Sequence, residues 1–228
     1  MLVLAFVVLA GCTVYDRSTG REVTRVLLVG DSVMWGAAPD IMAAFSAHGV
    51  EVRYVGLAAT GPLWNNRRWL DWTRNEVNAF RPDIVIFEAC CVYPGPNFPG
   101  HGGGQLYVNP QGQTVHEDTD LMFAEWERAV RDLIAIGRSR GASVYWVKML
   151  RPTEAARYYG PWFPERINRI NQINLRLGVP IVDWDWAIHR NANPWAYRTG
   201  DGVHPNAAGY QQIAQLTFES TVSFQPPG

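Results

Sequence analysis

Cysteine is scarce in this chain, with three in 228 residues. Setting Cys12 aside leaves Cys90 and Cys91, whose Cα atoms, as chain neighbours, are about 3.8 Å apart. A disulfide usually spans about 4.4–6.8 Å between Cα atoms. A disulfide framework is therefore excluded, a vicinal bridge would be strained, and two small half-buried thiols are expected. Three Cys and five His without paired spacing give no zinc signature, and no metal or other cofactor is expected. Charge is also sparse: 18% of residues, a formal net charge of −1, and Lys and Arg scattered along the chain. Such a chain carries no electrostatic footprint for nucleic acid. The apolar run Met1–Ala10 is too short to span a bilayer. Internal repeats and a second core are absent. What is present is a hydrophobic content of 47%, enough for the core of one domain. Ten Trp suit core packing or a cleft that stacks against sugars or flat apolar groups.

Met1–Ala10 (MLVLAFVVLA) matches the apolar region of a secretory signal, and Leu9-Ala10-Gly11-Cys12 resembles the bacterial lipobox. That resemblance implies a signal peptide over 1–11, a lipid on Cys12 that attaches the protein to the cell membrane, and a secreted location. Residues 12–24 then read as the lipidated Cys and a polar tether, 25–220 as the domain and 221–228 as a tail. No Lys or Arg precedes the apolar run, and the alternative is a buried apolar segment.

Arg25–Gly30 (RVLLVG) is continuously apolar, as in a strand covered on both faces. The pattern then predicts a helix over Pro39–His48, a strand over Glu51–Gly56, a helix over Trp69–Phe80 and a strand over Ile84–Ala89. Further helices are predicted over Leu121–Arg138, Pro164–Leu177 and Asn206–Ser220, with strands over Ser143–Val147 and Pro180–Val182. Alternating strands and helices argue an α/β fold with a parallel sheet and helices on both faces. Ligands in such sheets bind beyond the carboxyl ends of the strands. Val92–Asp120 breaks the rhythm: it is rich in Gly and Pro, has no clear period, and reads as a lid, a binding loop or a surface insertion.

The residues after the strands carry the chemistry. Gly30-Asp31-Ser32 follows the first strand, where backbone N–H groups of the next turn point at a developing oxyanion and the helix dipole favours negative charge. Asp201-Gly202-Val203-His204 precedes the last helix. A serine hydroxyl needs a base to become a nucleophile. His204 can be that base, and Asp201, three residues earlier, can hold its other ring nitrogen.

These two motifs, their order and the alternating pattern resemble the SGNH (GDSL-type) hydrolase family over roughly residues 26–218. The resemblance implies a three-layer α/β/α sandwich around a central five-stranded parallel sheet, and ester hydrolysis without a metal. It implies Ser32 as nucleophile, with Asp201 and His204 as its acid–base partners. Backbone N–H groups of Ser32 and Gly61 would form the oxyanion hole, with Gly56 the second match for the glycine. The chain departs from the family after the third strand. A Gly-x-Asn-Asp motif is expected there, yet the sequence reads Glu88-Ala89-Cys90-Cys91-Val92-Tyr93, and Asn97 is the nearest asparagine. The hole then runs on Ser32 and Gly61 alone, takes Asn97 or another donor, or is too weak for catalysis.

Glu88, Trp64 and Tyr93 are candidate substrate contacts, and Trp64, Trp69 and Trp72 are a candidate sugar-stacking wall. Gly137-Arg138-Ser139-Arg140-Gly141 imitates a nucleophile elbow but has a helix before it and a strand after it, the reverse of the elbow's context. Asp183 and Asp185 are rivals to Asp201 for which a local structural role is expected. His48, His101, His116 and His189 lack a motif partner. The leading expectation is a serine esterase of the envelope acting on an ester-bearing small molecule, a lipid or an acylated glycan. The alternatives are an O-acetyltransferase or deacetylase on envelope polysaccharide, and a non-catalytic lipid-anchored binding protein.

Overall fold

The computed structural model describes residues 13–63, 66–90, 105–153, 155–156 and 163–224. In chain order the elements are β1 (Val14–Asp16), β2 (Arg25–Gly30), α1 (Ser32–Ser46), β3 (Glu51–Gly56), α2 (Asn66–Phe80), β4 (Ile84–Phe87), β5 (Gln105–Val108) and β6 (Thr114–His116). They continue with α3 (Asp120–Arg138), β7 (Ser143–Lys148), α4 (Phe163–Asn174), β8 (Ile181–Asp183), α5 (Trp184–His189), α6 (Ala207–Thr221) and β9 (Val222–Phe224). Five strands form one parallel sheet in the order β3-β2-β4-β7-β8.

Alternate residues of each strand enter opposite cores. Val26, Leu28, Ile84, Ile86, Tyr145 and Val147 pack with residues of α1, α5 and α6. Leu27, Val29, Val85, Phe87, Val144 and Trp146 pack with residues of α2, α3 and α4. Both faces of the sheet are thus dry, which is why its strands read as continuous apolar runs. The expected three-layer α/β/α fold with five parallel strands is the one found.

The boundaries shift where local pattern is weak. The first helix begins at Ser32 rather than at Pro39, which lies inside it. Proline in a helix forgoes one i→i−4 bond, but the first turn is fixed in advance because Asp31 Oδ1 accepts the Val33 N–H at 3.0 Å. Part of the segment expected to lack regular structure is a hairpin, β5 with β6. Asn109 Oδ1 shapes its turn by accepting the N–H groups of Gln111 (3.1 Å) and Gln113 (2.8 Å), and Leu106 and Val115 are buried beneath it.

Residues 13–24, expected as a polar tether, are instead folded onto the domain. β1 pairs antiparallel with β9, from the expected tail. Val14, Asp16 and Val23 are buried. Asp16 accepts hydrogen bonds from Ser18, Thr19, Ser143 and Tyr145. The signal peptide and Cys12 lie outside the described residues, as do Trp64, Cys91, Tyr93, Asn97 and His101. Among the described residues no helix is long and apolar enough to cross a membrane.

Candidate active site

Ser32 opens α1 directly beyond the carboxyl end of β2, and His204 lies in the turn before α6. The two meet across 172 residues of sequence, with Ser32 Oγ 2.9 Å from His204 Nε2. His204 Nδ1 is 2.5 Å from Asp201 Oδ2. A carboxylate only accepts, so Nδ1 carries the proton and Nε2 is left to accept from the serine hydroxyl. This is the arrangement by which a base takes the serine proton and returns it to a leaving group.

A dense local network holds the Asp201–His204 turn. Asp201 Oδ1 accepts from Thr199 Oγ1 (2.6 Å), Val203 N (2.9 Å) and His204 N (3.0 Å). Burial opposes the charge, but the hydrogen bonds from Thr199, His204 and Val203 outweigh it and hold the carboxyl well below the usual range. Gly202 makes the turn possible with φ +75°. A Cβ there would overlap Thr153 Oγ1 and come 2.5 Å from Ala156 N. Behind the turn, the buried Arg198 donates to Val203 O (2.6 Å) and Arg151 O (2.5 Å). Burial pulls its guanidinium down to about 10.

Glu88 is not a substrate contact. It is fully buried at the end of β4, and its Oε2 accepts the N–H groups of Asp31 and Met34, each at 3.1 Å. Asp31 Oδ1 takes the N–H of Val33 and its Oδ2 that of Cys90, at 2.9 Å. The Trp35 N–H bonds Asp31 O at 2.9 Å. Among the described residues, Ser32 alone in this first turn has an N–H with no acceptor. That N–H is left free to serve as a donor to an oxyanion on a carbon attacked by Ser32. Asp31, Glu88 and Cys90 bring potential metal ligands within 4.8 Å of one another. Three of the four carboxylate oxygens are already taken by N–H groups, and Cys90 is in a disulfide. The cluster is a helix cap. That disulfide corrects the expectation of a free thiol at Cys90, and its partner lies outside the described residues.

Gly61 lies in the β3–α2 loop, at the carboxyl end of the sheet. Thr60 clamps the loop: its hydroxyl donates to Leu57 O at 2.6 Å and accepts from Trp69 Nε1 at 3.1 Å. Gly56, the second match, has a packing role, because a Cβ there would collide with Gly30 O. The tryptophan wall does not form as expected: Trp69 is in the core and Trp72 is half-buried beneath Arg68, whose guanidinium carbon is 4.8 Å from the ring centre. Trp35, one helical turn after Ser32, is the aromatic that sequence reasoning missed. It is 64% exposed, and its i, i+3 spacing from Ser32 was the available signal.

The rival residues take structural places. Asp183 caps α5 through Trp186 N (2.8 Å) and pairs with Lys148 (2.8 Å). The Asp185 carboxylate accepts from Arg151 (2.8 Å), and its backbone carbonyl is 3.0 Å from His189 Nδ1. Ser139 ends α3 as its C-terminal cap, so the elbow-like sequence is a helix end.

The model of the GDSL-like lipase/acylhydrolase family matches residues 28–212. No curated protein matches the sequence. Among solved structures, the chain is similar to a lipase/acylhydrolase from Enterococcus faecalis, with 16% identity and a TM-score of 0.62 over 86% of this chain and 93% of that one. An acetylxylan esterase from Geobacillus stearothermophilus has 15% identity and a TM-score of 0.58 over 86% and 93%. The catalytic domain of Streptococcus pneumoniae peptidoglycan O-acetyltransferase A has 15% identity and a TM-score of 0.52 over 87% and 92%.

Proposed function

The chain belongs to the GDSL-like lipase/acylhydrolase family and is an ester-hydrolysing enzyme, and from that premise we propose that it works through an acyl-enzyme on Ser32. The hydrogen-bonded series Ser32–His204–Asp201 is the observation that carries this reading. His204 takes the hydroxyl proton as Ser32 attacks the acyl carbon, then passes it to the departing alcohol. Asp201 fixes the imidazole tautomer and stabilises the imidazolium. The N–H groups of Ser32 and Gly61 receive the oxyanion, and Asn97 is a further candidate donor. Water, activated by His204 in reverse, releases the acid. Ser32→Ala is expected to fold as the parent does and to lose turnover of a short-chain aryl ester and labelling by a fluorophosphonate. Full activity in that variant would refute the assignment.

The substrate we favour is an acylated glycan of the cell envelope. Trp35 supports it as an exposed indole beside the nucleophile, suited to stacking on a sugar ring. The shared fold of the acetylxylan esterase and the peptidoglycan O-acetyltransferase is consistent with it. The same site admits acyl transfer, with a sugar hydroxyl in place of water. Measuring acetate release with and without an oligosaccharide acceptor separates the two, since only transfer diverts acetyl groups to the acceptor. Attachment through a lipid on Cys12, after removal of residues 1–11, completes the proposal. Incorporation of a labelled fatty acid into the parent chain but not into Cys12→Ala tests it.

A further inference from the structure

Two carboxyl groups lie buried under the first turn of α1, and only one of them is named by the Gly-Asp-Ser motif. Asp31 and Glu88 are both 0% exposed, and their oxygens lie within 4.8 Å of each other. No cation pairs with either among the described residues. Two carboxylates so placed in a low-dielectric interior do not both ionise. The hydrogen bonds show which one keeps its charge. Asp31 accepts one N–H on each oxygen. Glu88 accepts two N–H groups on Oε2, while its Oε1 has no partner, so Oε1 is the atom that can carry a proton.

The contacts of Glu88 then acquire a purpose. Its Oε2 binds the N–H on either side of Ser32's turn, those of Asp31 and Met34. It sits so close beneath the turn that a Cβ on Gly30 would come within 2.7 Å of it. We propose that Glu88 is a positioning residue that clamps this turn, so that, of the turn's N–H groups, that of Ser32 is left free as an oxyanion donor. This rests on Ser32 being the nucleophile. It also bears on the missing Asn, because with fewer donors in the hole the aim of each remaining one matters more. Burial first, and then the charge of Asp31, push the Glu88 carboxyl well above its usual range, in keeping with the geometry. The other titratable groups that face the pair are Tyr54 from β3, Tyr210 from α6 and His204.

The test compares kcat, KM and fluorophosphonate labelling in the full chain, Glu88→Ala and Glu88→Gln. Loss of the clamp in Glu88→Ala is expected to lower kcat by about 10²–10³-fold, the effect of losing one oxyanion donor, with KM nearly unchanged. Glu88→Gln, which keeps a neutral acceptor at Oε2, is expected to restore most of that loss. Parental kcat in Glu88→Ala, or equal damage in both variants, overturns the proposal. Should Glu88→Ala fail to fold, Glu88→Asp, which withdraws the acceptor from the turn by one methylene, decides: parental kcat in a folded Glu88→Asp overturns it. A parent chain that labels normally while the variants behave like it condemns the Glu88 role alone. A parent that does not label removes the Ser32 reading and this proposal together.

Discussion

His204 and Asp201 face each other across 2.5 Å, and Asp201 receives three further hydrogen bonds on its other oxygen. The carboxylate is thereby held in one orientation, which in turn fixes the imidazole. Asp201→Asn keeps the shape but presents an amide to Nδ1 and favours the wrong tautomer. By the behaviour of such triads kcat is expected to fall by about 10⁴-fold, with KM changed far less, measured on a short-chain aryl ester.

The same carboxyl makes a prediction about pH. Its folded-state pKa is depressed, so the stabilisation is present above the unfolded value of about 3.9 and is lost as pH falls through the lower folded value. The stability gap between the parent and Asp201→Asn, measured by denaturant unfolding, is expected to be largest near neutrality and to close under strong acid. A gap that widens on acidification would contradict the sign.

Gly202 separates the two residues of that pair and does so with φ +75°. Gly202→Ala places a side chain in a left-handed backbone, at a cost of about 1–3 kcal/mol, and drives it against Ala156 N and Thr153 Oγ1. The Thr153 N–H bonds Gly202 O at 2.9 Å, so the strain is shared with a second loop. A lower melting temperature and a reduced kcat are expected together. A stable variant with full activity would show that the turn tolerates rearrangement.

The hydrogen-bonded series Ser32–His204–Asp201 was legible in the sequence because its parts are local: Gly-Asp-Ser directly after an apolar strand, and Asp-x-x-His within one turn. The sheet was legible because strands dry on both faces read as apolar runs. What escaped depends on contacts made far along the chain. Glu88 meets Asp31 and Met34 only through the pairing of β2 with β4, and nothing local marks it as a helix cap. Trp69 resembled a surface aromatic until its indole N–H found the buried Thr60 hydroxyl. The expected start of α1 at Pro39 was late because Asp31 and Glu88, one of them far along the chain, had already ordered the turn from Ser32. The role of residues 13–24 was hidden because β1 pairs with residues near the other end of the chain.

Asp16 marks where that N-terminal segment is locked. Its carboxylate takes the Ser18 N–H (2.9 Å), the Thr19 hydroxyl (2.5 Å), the Tyr145 hydroxyl (2.6 Å) and the Ser143 hydroxyl. Burial opposes the charge, and the hydrogen bonds from Ser143, Thr19 and Tyr145 overcome it, so the carboxyl is held below its usual range. Ser143 opens β7, so the lock sits at the amino end of the sheet, away from Ser32. Asp16→Ala leaves buried hydroxyls without their acceptor. Since hydrogen bonds to a charged group contribute about 1.5–3 kcal/mol each, stability is expected to fall by at least that much. The catalytic constants, measured well below the melting temperature, are expected to stay at parental values. Hydrogen exchange is expected to rise first in β1 and β9, which share their ladder. If kcat falls in proportion to stability instead, the two ends of the sheet are coupled, and the N-terminal segment contributes to the geometry of the site as well as to the fold.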